Sequence, residues 1–167
     1  MGSKAVAENG RRITMSLKWD MIDWSQGNNL HFFWKLYGWK NRTKSRLLHK
    51  AFTLLMGRCA YRHRGYIGAT AVIHGRPVLP HGLQGIYISR YARIGEDCLI
   101  YQNVTIGEVD HKAPVIGDHC LLGAGAVIIG DIRIGNYVKI GAGAVVSRDV
   151  PDHCTVVAPP MRVLSED

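Results

Sequence analysis

Residues 116–151 divide into six consecutive hexads without a remainder: IGDHCL, LGAGAV, IIGDIR, IGNYVK, IGAGAV and VSRDVP. The first and the fifth position of every hexad are apolar. A period of six matches neither the roughly 3.6 residues of an α-helical turn nor the alternation of a simple strand, but it is the period of hexapeptide parallel β-helices. The pattern therefore predicts a solenoid in which each hexad forms one of three sides and the apolar positions face inward.

The same frame continues upstream of residue 116 and is interrupted twice. Seven aliphatic residues keep the six-residue spacing in two runs: Ile67, Ile73 and Leu79, then Ile88, Ile94, Ile100 and Ile106. One interruption adds three residues after Leu79 and the other adds four after Ile106. Inserted residues leave a solenoid as loops, and loops on a rigid scaffold often carry the chemistry. The two inserted segments contain His81 and His111, which are therefore the first candidates for catalytic residues.

Positive charge is concentrated in the N-terminal part of the chain. Residues 1–65 carry 13 Lys/Arg and 3 Asp/Glu, whereas residues 66–167 carry 8 and 10. We expect this segment to be either a solvated basic surface or a site of peripheral membrane contact, and we expect no nucleic-acid partner. No apolar run reaches the roughly 18 residues of a membrane-spanning helix, and no apolar leader follows the charged start. The sequence therefore predicts a cytoplasmic protein.

Two or three short helices are predicted before the solenoid, which divides the chain into a helical segment (1–65) and a β-helix domain (66–167). Two sets of apolar residues have the spacing of a helix face: Leu30, Phe33, Trp34 and Tyr37, then Leu48, Ala51, Phe52 and Leu55 before Gly57. Such helices would cover the open end of the solenoid, where an exposed strand edge would otherwise invite aggregation.

The cysteines show no metal or disulfide pattern. Cys98 and Cys120 fall on fifth positions of the repeat, which predicts buried and chemically inert thiols. The four cysteines have no CxxC spacing, so neither a disulfide framework nor a thiolate zinc site is expected.

Four segments carry a resemblance to a known family: LPHGLQGIYIS (79–89), YQNVTIG (101–107), APVIGDHCLLGAGAVIIGDIRIG (113–135) and KIGAGAVVSRDVPD (139–152). They resemble the hexapeptide-repeat acyltransferases, most closely serine acetyltransferase and related polysaccharide O-acetyltransferases. The resemblance implies an all-β, left-handed parallel β-helix that forms a homotrimer with active sites between subunits. It also implies acetyl-CoA as the acyl donor and no metal.

The resemblance assigns roles to both loop histidines. His81 stands at the position of the family histidine that deprotonates the acceptor hydroxyl, a role that suits an imidazole near neutral pH. His111 would be the family's second histidine, although it stands three residues before Pro114 rather than one. Whether His111 reaches the site is left open by the sequence.

Departures from the family pattern bear on the acceptor. Pro80 stands where the family has an acidic residue, and Tyr66 stands where the serine enzymes have the Asp that orients the first histidine. Asp110 replaces an Arg that reads the serine carboxylate, a task that suits a bidentate guanidinium. We therefore favour a hydroxyl of a small molecule or a surface-glycan sugar. Glu108 and Asp110 are then either the residues that orient His81 or His111 or solvated carboxylates of the loop.

Two groups of residues are expected to bind acetyl-CoA. The first group has small side chains that let a pantetheine arm approach the backbone, and comprises Gly123, Ala124, Gly125 and Ala142. The second group would meet the nucleotide phosphates, and comprises Lys139, Arg148 and Arg162.

The leading interpretation is an acetyl-CoA-dependent O-acetyltransferase with His81 as general base, and the alternative within this class is L-serine O-acetyltransferase of cysteine biosynthesis. Two other classes stay open. A non-catalytic trimeric scaffold would need no functional histidine. A γ-type carbonic anhydrase on the same fold would need three clustered imidazoles to hold its metal.

Overall fold

A computed structural model describes residues 30–162 of the chain. The parts of the two predicted segments that fall in residues 1–29 and 163–167 lie outside the described residues. The described helices are α1 (His31–Arg42) and α2 (Arg46–Arg62). The described strands are β1 (Tyr66–Ile67), β2 (Val72–Ile73), β3 (Tyr87–Ile88), β4 (Arg93–Ile94), β5 (Leu99–Ile100), β6 (Thr105–Gly107), β7 (Val115–Ile116), β8 (Leu121–Leu122), β9 (Val127–Ile129), β10 (Arg133–Ile134), β11 (Lys139–Ile140), β12 (Val145–Val146) and β13 (Thr155–Val156).

The strands stack into three parallel sheets that form the sides of a solenoid. Sheet A has the order β1-β3-β6-β9-β12, sheet B the order β2-β4-β7-β10 and sheet C the order β5-β8-β11-β13. Successive strands along the chain fall in different sheets, because each hexad supplies one side of a coil. The structure therefore confirms the parallel β-helix that the period of six predicted.

The first positions of the hexads stack in register along each sheet. Sheet A holds the column Ile67, Ile88, Ile106, Ile128 and Val146, sheet B the column Ile73, Ile94, Ile116 and Ile134, and sheet C the column Ile100, Leu122, Ile140 and Val156. All of them except the terminal Val156 are buried. Burying one aliphatic side chain contributes about 1.5–3 kcal/mol, so these columns are a large part of what stabilises the solenoid.

The fifth positions fill the corners of the same core. The six fifth positions of residues 116–151 are all buried: Cys120, Ala126, Ile132, Val138, Ala144 and Val150. Cys98 and Cys120 are buried free thiols, as predicted. Each Sγ points at a backbone carbonyl of the next coil, at 3.3 Å from Gly117 and 3.1 Å from Gly135 respectively.

Helix α1 covers the edge of the first coil. Its predicted apolar face is buried, with Phe33 fully inaccessible. The Tyr37 hydroxyl accepts a hydrogen bond of 2.9 Å from the Ile73 amide of edge strand β2. Lys40 is also buried, which lowers the pKa of its ammonium, and its Nζ donates to the Ala69 carbonyl at 2.6 Å. The helix thus satisfies polar groups that the edge of the sheet would leave unpaired.

Helix α2 departs from the sequence prediction in the face that it buries and in its length. Met56 and Ala60 are buried where α2 packs against α1 and β1, whereas Leu48 and Leu55 are about half exposed. The helix continues through Gly57 for five further residues. Because α2 carries apolar side chains on more than one side, their spacing alone did not determine which face would be buried. Neither described helix is long and apolar enough to cross a membrane.

Candidate active site

Three corners run along the solenoid, and each joins two sheets. We call them the CA corner (sheet C to sheet A), the AB corner and the BC corner. The His81 segment leaves the stack at the CA corner, since Val78 pairs with Leu99 of β5 and the chain then enters β3 of sheet A. The His111 segment leaves at the AB corner, between β6 and β7. Since three hexads make one coil, the number of hexads between the two loops in the sequence is enough to place them on different corners.

The His81 loop is anchored to the solenoid. Leu83 is 1% exposed, and the Gln84 carbonyl accepts a 3.0 Å hydrogen bond from the Asn103 amide of the next coil. The His81 ring is exposed and lies 6.3 Å from the Tyr101 ring, measured between centroids. The fold therefore presents an accessible imidazole on a fixed backbone, which a general base requires.

A track of small residues runs along the CA corner away from the His81 loop. The Gly125 amide donates to the Gln102 carbonyl at 3.0 Å, and the Gly143 amide donates to the Ala124 carbonyl at 2.9 Å. Successive coils are about 4.8 Å apart, so the predicted pantetheine residues line a path that begins one coil below Tyr101. We call Gly123–Gly125 together with Ala142 the small-residue track.

The conformation of the small-residue track explains its glycines. Gly125 has a φ of +68°, and a Cβ built on it would meet no other atom within 4 Å. At Gly123 a Cβ would lie 2.6 Å from the Ala142 amide nitrogen, so no side chain fits. The backbone is bare along this corner, and the space outside Gly125 is open to a ligand.

The three predicted phosphate-binding cations are exposed but do not form one cluster. Lys139 lies on β11 of sheet C, two residues before the CA corner begins at Gly141. Arg148 follows β12 at the AB corner, and Arg162 follows β13 near the end of the described chain. Of these three residues, Lys139 is the one whose strand leads directly into the small-residue track at Gly141.

The His111 segment forms a two-residue hairpin. The Val109 and Lys112 amides donate to each other's carbonyls at 2.9 and 3.0 Å. The two residues at the tip, Asp110 and His111, have φ values of +50° and +63°, the signs that a type I′ turn requires. Non-glycine residues adopt this region at an energetic cost and are found there often at functional sites.

Surface contacts hold the hairpin in place. The Tyr91 hydroxyl lies 3.4 Å from His111 Nδ1. Lys112 Nζ forms an exposed ion pair with Asp131 Oδ2 at 2.6 Å, and this contact raises the pKa of Lys112. Glu108 accepts a hydrogen bond from the Ser89 hydroxyl, which is fully buried. Of the groups that contact this loop, Tyr91 is the one that meets the imidazole, and the sequence analysis did not single it out.

One chain does not bring His81 and His111 together. The CA and AB corners lie at the two opposite ends of the strands of sheet A. At about 3.3 Å per residue, one side of the solenoid is on the order of 15 Å long, and this length separates the two corners. Asp110 is adjacent to His111 in the chain and Pro80 is adjacent to His81, so one chain does not bring these two predicted substrate residues together either. Two concavities in residues 30–162, of about 420 and 270 Å³, lie around Arg133 and around Ser45, and neither includes a loop histidine.

Gln102 is a further polar residue at the CA corner that the sequence analysis did not identify as a site residue. Its Oε1 atom is buried and has no hydrogen-bond partner among the described residues. The residue follows Tyr101, and its carbonyl receives the Gly125 amide at 3.0 Å, so Gln102 lies between the His81 loop and the small-residue track. Buried acceptors without a donor are rare in folded proteins, which makes this oxygen a candidate ligand contact. The sequence did hold one indication of Gln102, because the residue lies in YQNVTIG (101–107), one of the segments that carry the family resemblance.

No group of three His, Cys, Asp or Glu side chains is placed to hold a metal ion in the described part of the chain.

Residues 113–148 match the family described as bacterial transferase hexapeptide (six repeats). A serine acetyltransferase of Synechococcus elongatus is 46% identical over 90 residues, which cover 52% of this chain and 36% of that protein. A serine acetyltransferase of Staphylococcus aureus is 33% identical over 141 residues, 72% of this chain and 66% of its own length. The chain belongs to the hexapeptide-repeat acyltransferases.

Solved structures agree with this family assignment. A serine acetyltransferase in complex with CoA superposes with a TM-score of 0.61 at 31% identity, over 70% of this chain and 49% of that one. The chain spans only part of the length of these relatives: 36% and 66% of the two curated enzymes and 49% of the solved one.

Proposed function

We propose that this chain is an acetyl-CoA-dependent O-acetyltransferase with His81 as the general base. The observation that carries the proposal is the position of the exposed His81 imidazole at the head of the small-residue track. The relatives named serine acetyltransferase, one of them solved with CoA, support the same donor. The bare backbone beside Gly125 fits a pantetheine arm, and Lys139 borders the same corner.

The proposed mechanism uses the imidazole to move one proton. Acetyl-CoA, when bound, supplies an acetyl thioester as the electrophile. His81 accepts the proton of the acceptor hydroxyl as its oxygen bonds to the acetyl carbon, and it returns that proton to the departing sulfur. Backbone amides at the CA corner are the candidates for stabilising the oxyanion. His81 ends the cycle neutral, and the chain forms no covalent bond to substrate.

The proposal includes a homotrimer in which each active site uses two subunits. His81 and His111 lie on the two edges of sheet A, so a contact that joins the CA corner of one copy to the AB corner of the next would bring them together. A contact between two different surfaces of the same chain is heterologous, and it generates a closed ring when the rotation between copies closes. The proposed trimer is such a ring of three copies.

For the acceptor we propose a hydroxyl group on a molecule without a carboxylate. Asp110 lies beside His111 at the tip of the exposed hairpin, where it would repel the carboxylate of serine. A hydroxyl of a small molecule or of a surface-glycan sugar avoids this repulsion. L-serine is the second candidate, and the names of the relatives favour it.

The test is thiol release from acetyl-CoA across a panel of L-serine and several sugars. Wild-type protein, a His81→Ala variant and a His74→Ala control are assayed in parallel, since His74 is an exposed histidine outside both loops. We expect acceptor-dependent release that needs His81 and does not need His74. Turnover that is equal in all three proteins would contradict the proposal, and turnover with serine alone would replace the proposed acceptor by the second candidate.

A further inference from the structure

Helix α2 carries large apolar side chains that the rest of the described chain does not cover. Leu47 and Leu54 are 77% and 76% exposed, Leu48 and Leu55 are 49% and 51% exposed, and Tyr61 is 78% exposed. Single exposed leucines are common on proteins, but four on one short helix form a contiguous patch. The patch requires an explanation that the acyltransferase site does not supply.

The spacing places these leucines on one side of the helix. Leu47 and Leu54 are seven residues apart, as are Leu48 and Leu55, so at about 100° per residue the four side chains span roughly 120° of the surface. Met56 and Ala60 lie on the opposite side and are buried in the fold. We call the surface formed by Leu47, Leu48, Leu54 and Leu55 the outer α2 face.

The charges around the outer α2 face all have one sign. Residues 30–65 contain nine Lys/Arg and no Asp or Glu. Four of these cations lie on α2 itself and are exposed: Arg46, Lys50, Arg58 and Arg62. An apolar surface flanked by cations matches the interface of an anionic bilayer, where acyl chains meet negatively charged headgroups. Long basic side chains reach the headgroups while the helix stays near the apolar boundary.

The same charges argue against a second copy of this face as its partner. Two such faces would bring cations together without any carboxylate on the described helices to pair with them. The helix is also preformed, because the Ser45 hydroxyl caps it by accepting the Leu48 amide and the opposite side is packed in the core. Binding therefore requires no ordering of the helix backbone.

We propose that the outer α2 face binds the surface of an anionic lipid bilayer, with the helix lying in the plane of the interface. The proposal is independent of acetyl transfer, because binding is measured without substrate. It accounts for the exposed leucines and for the one-sided charge with a single partner.

The test is cosedimentation with vesicles of phosphatidylcholine, with and without phosphatidylglycerol. Wild-type protein is compared with a Leu47→Gln/Leu54→Gln variant and with a Val157→Gln/Met161→Gln control, whose residues are 73% and 88% exposed away from the helices. We expect binding of wild type and control to the anionic vesicles alone, weaker binding at high salt, and a loss of about tenfold or more in the leucine variant.

Three results would overturn the proposal. The first is that wild-type protein fails to bind anionic vesicles at low salt, and the second is that the leucine variant binds them equally well. The third is that the leucine substitutions lower the oligomer size in lipid-free buffer while vesicle binding is absent, which would assign the face to a second copy of the chain. Circular dichroism checks that the variant is folded, and both substituted side chains are mostly exposed.

Discussion

The two histidine loops are built differently. The His81 loop is fixed to the solenoid through buried Leu83 and the carbonyl of Gln84, and it lies on the same corner as the small-residue track, one coil away from it. The His111 hairpin stands out from the AB corner and is held by side-chain contacts of Glu108, His111 and Lys112. This difference fits the proposal that the first loop supplies the base of each site and that an adjacent subunit brings the second loop to it.

The largest expected effect tests the first loop. His81→Ala removes the positioned base, so we expect kcat to fall by about 10²-fold or more. Steady-state thiol release checks this, with His74→Ala as the matched control. A loss below about threefold would show that the rigid loop does not supply the base and would break the distinction between the two loops.

A smaller effect is expected from the second loop. His111→Ala removes one polar contact to the acceptor, which corresponds to about a tenfold loss in kcat/KM for the acceptor. The KM for acetyl-CoA should stay nearly unchanged, because the proposed contact of His111 is with the acceptor and not with the small-residue track. If His111→Ala lowered kcat as much as His81→Ala, the two loops would have equal roles in catalysis.

Gln102 sharpens the assignment of the CA corner to acetyl-CoA. Its buried and unpartnered Oε1 would accept a hydrogen bond from an amide of the pantetheine arm. We expect Gln102→Leu to raise the KM for acetyl-CoA about fivefold at nearly constant kcat, whereas Gln102→Glu keeps an acceptor oxygen and should change it less. Equal KM values for wild type and the leucine variant would remove Gln102 from the site.

The smallest effect is expected at the support of His111. The Tyr91 hydroxyl is 3.4 Å from Nδ1, which is long for a hydrogen bond, so Tyr91→Phe should lower kcat/KM for the acceptor by only about two- to threefold. A double-mutant cycle with His111→Ala isolates the contact. If Tyr91→Phe cost as much in the absence of the imidazole as in its presence, Tyr91 would act elsewhere.

The repeat made most of the fold predictable. A period of six leaves one way to bury both the first and the fifth positions, so the columns of Ile106 and Ile116 and the two loops followed from spacing alone. The burial pattern of α2 did not follow, because Leu55 and Met56 both continue an apolar pattern and only packing against α1 and β1 selects between them.

The corner on which each proposed site residue lies was predictable from the repeat, but the side-chain contacts were not. His81 and the small-residue track share a corner because their hexads occupy equivalent positions in successive coils. The orphan oxygen of Gln102 and the contact of Tyr91 with His111 depend on side-chain placement, which no spacing records. The left-handed backbone of Asp110 and His111 likewise depends on the pairing of Val109 with Lys112.

The central claim is that each active site takes His81 from one subunit and His111 from the next. The most direct measurement is the activity of purified mixed trimers from cells that co-express His81→Ala and His111→Ala chains in equal amounts. With random assembly about a quarter of the sites would receive both histidines, so the account predicts about a quarter of the wild-type kcat/KM for the acceptor, against about a tenth or less for either variant alone. Activity no higher than the average of the two variants would contradict a shared site.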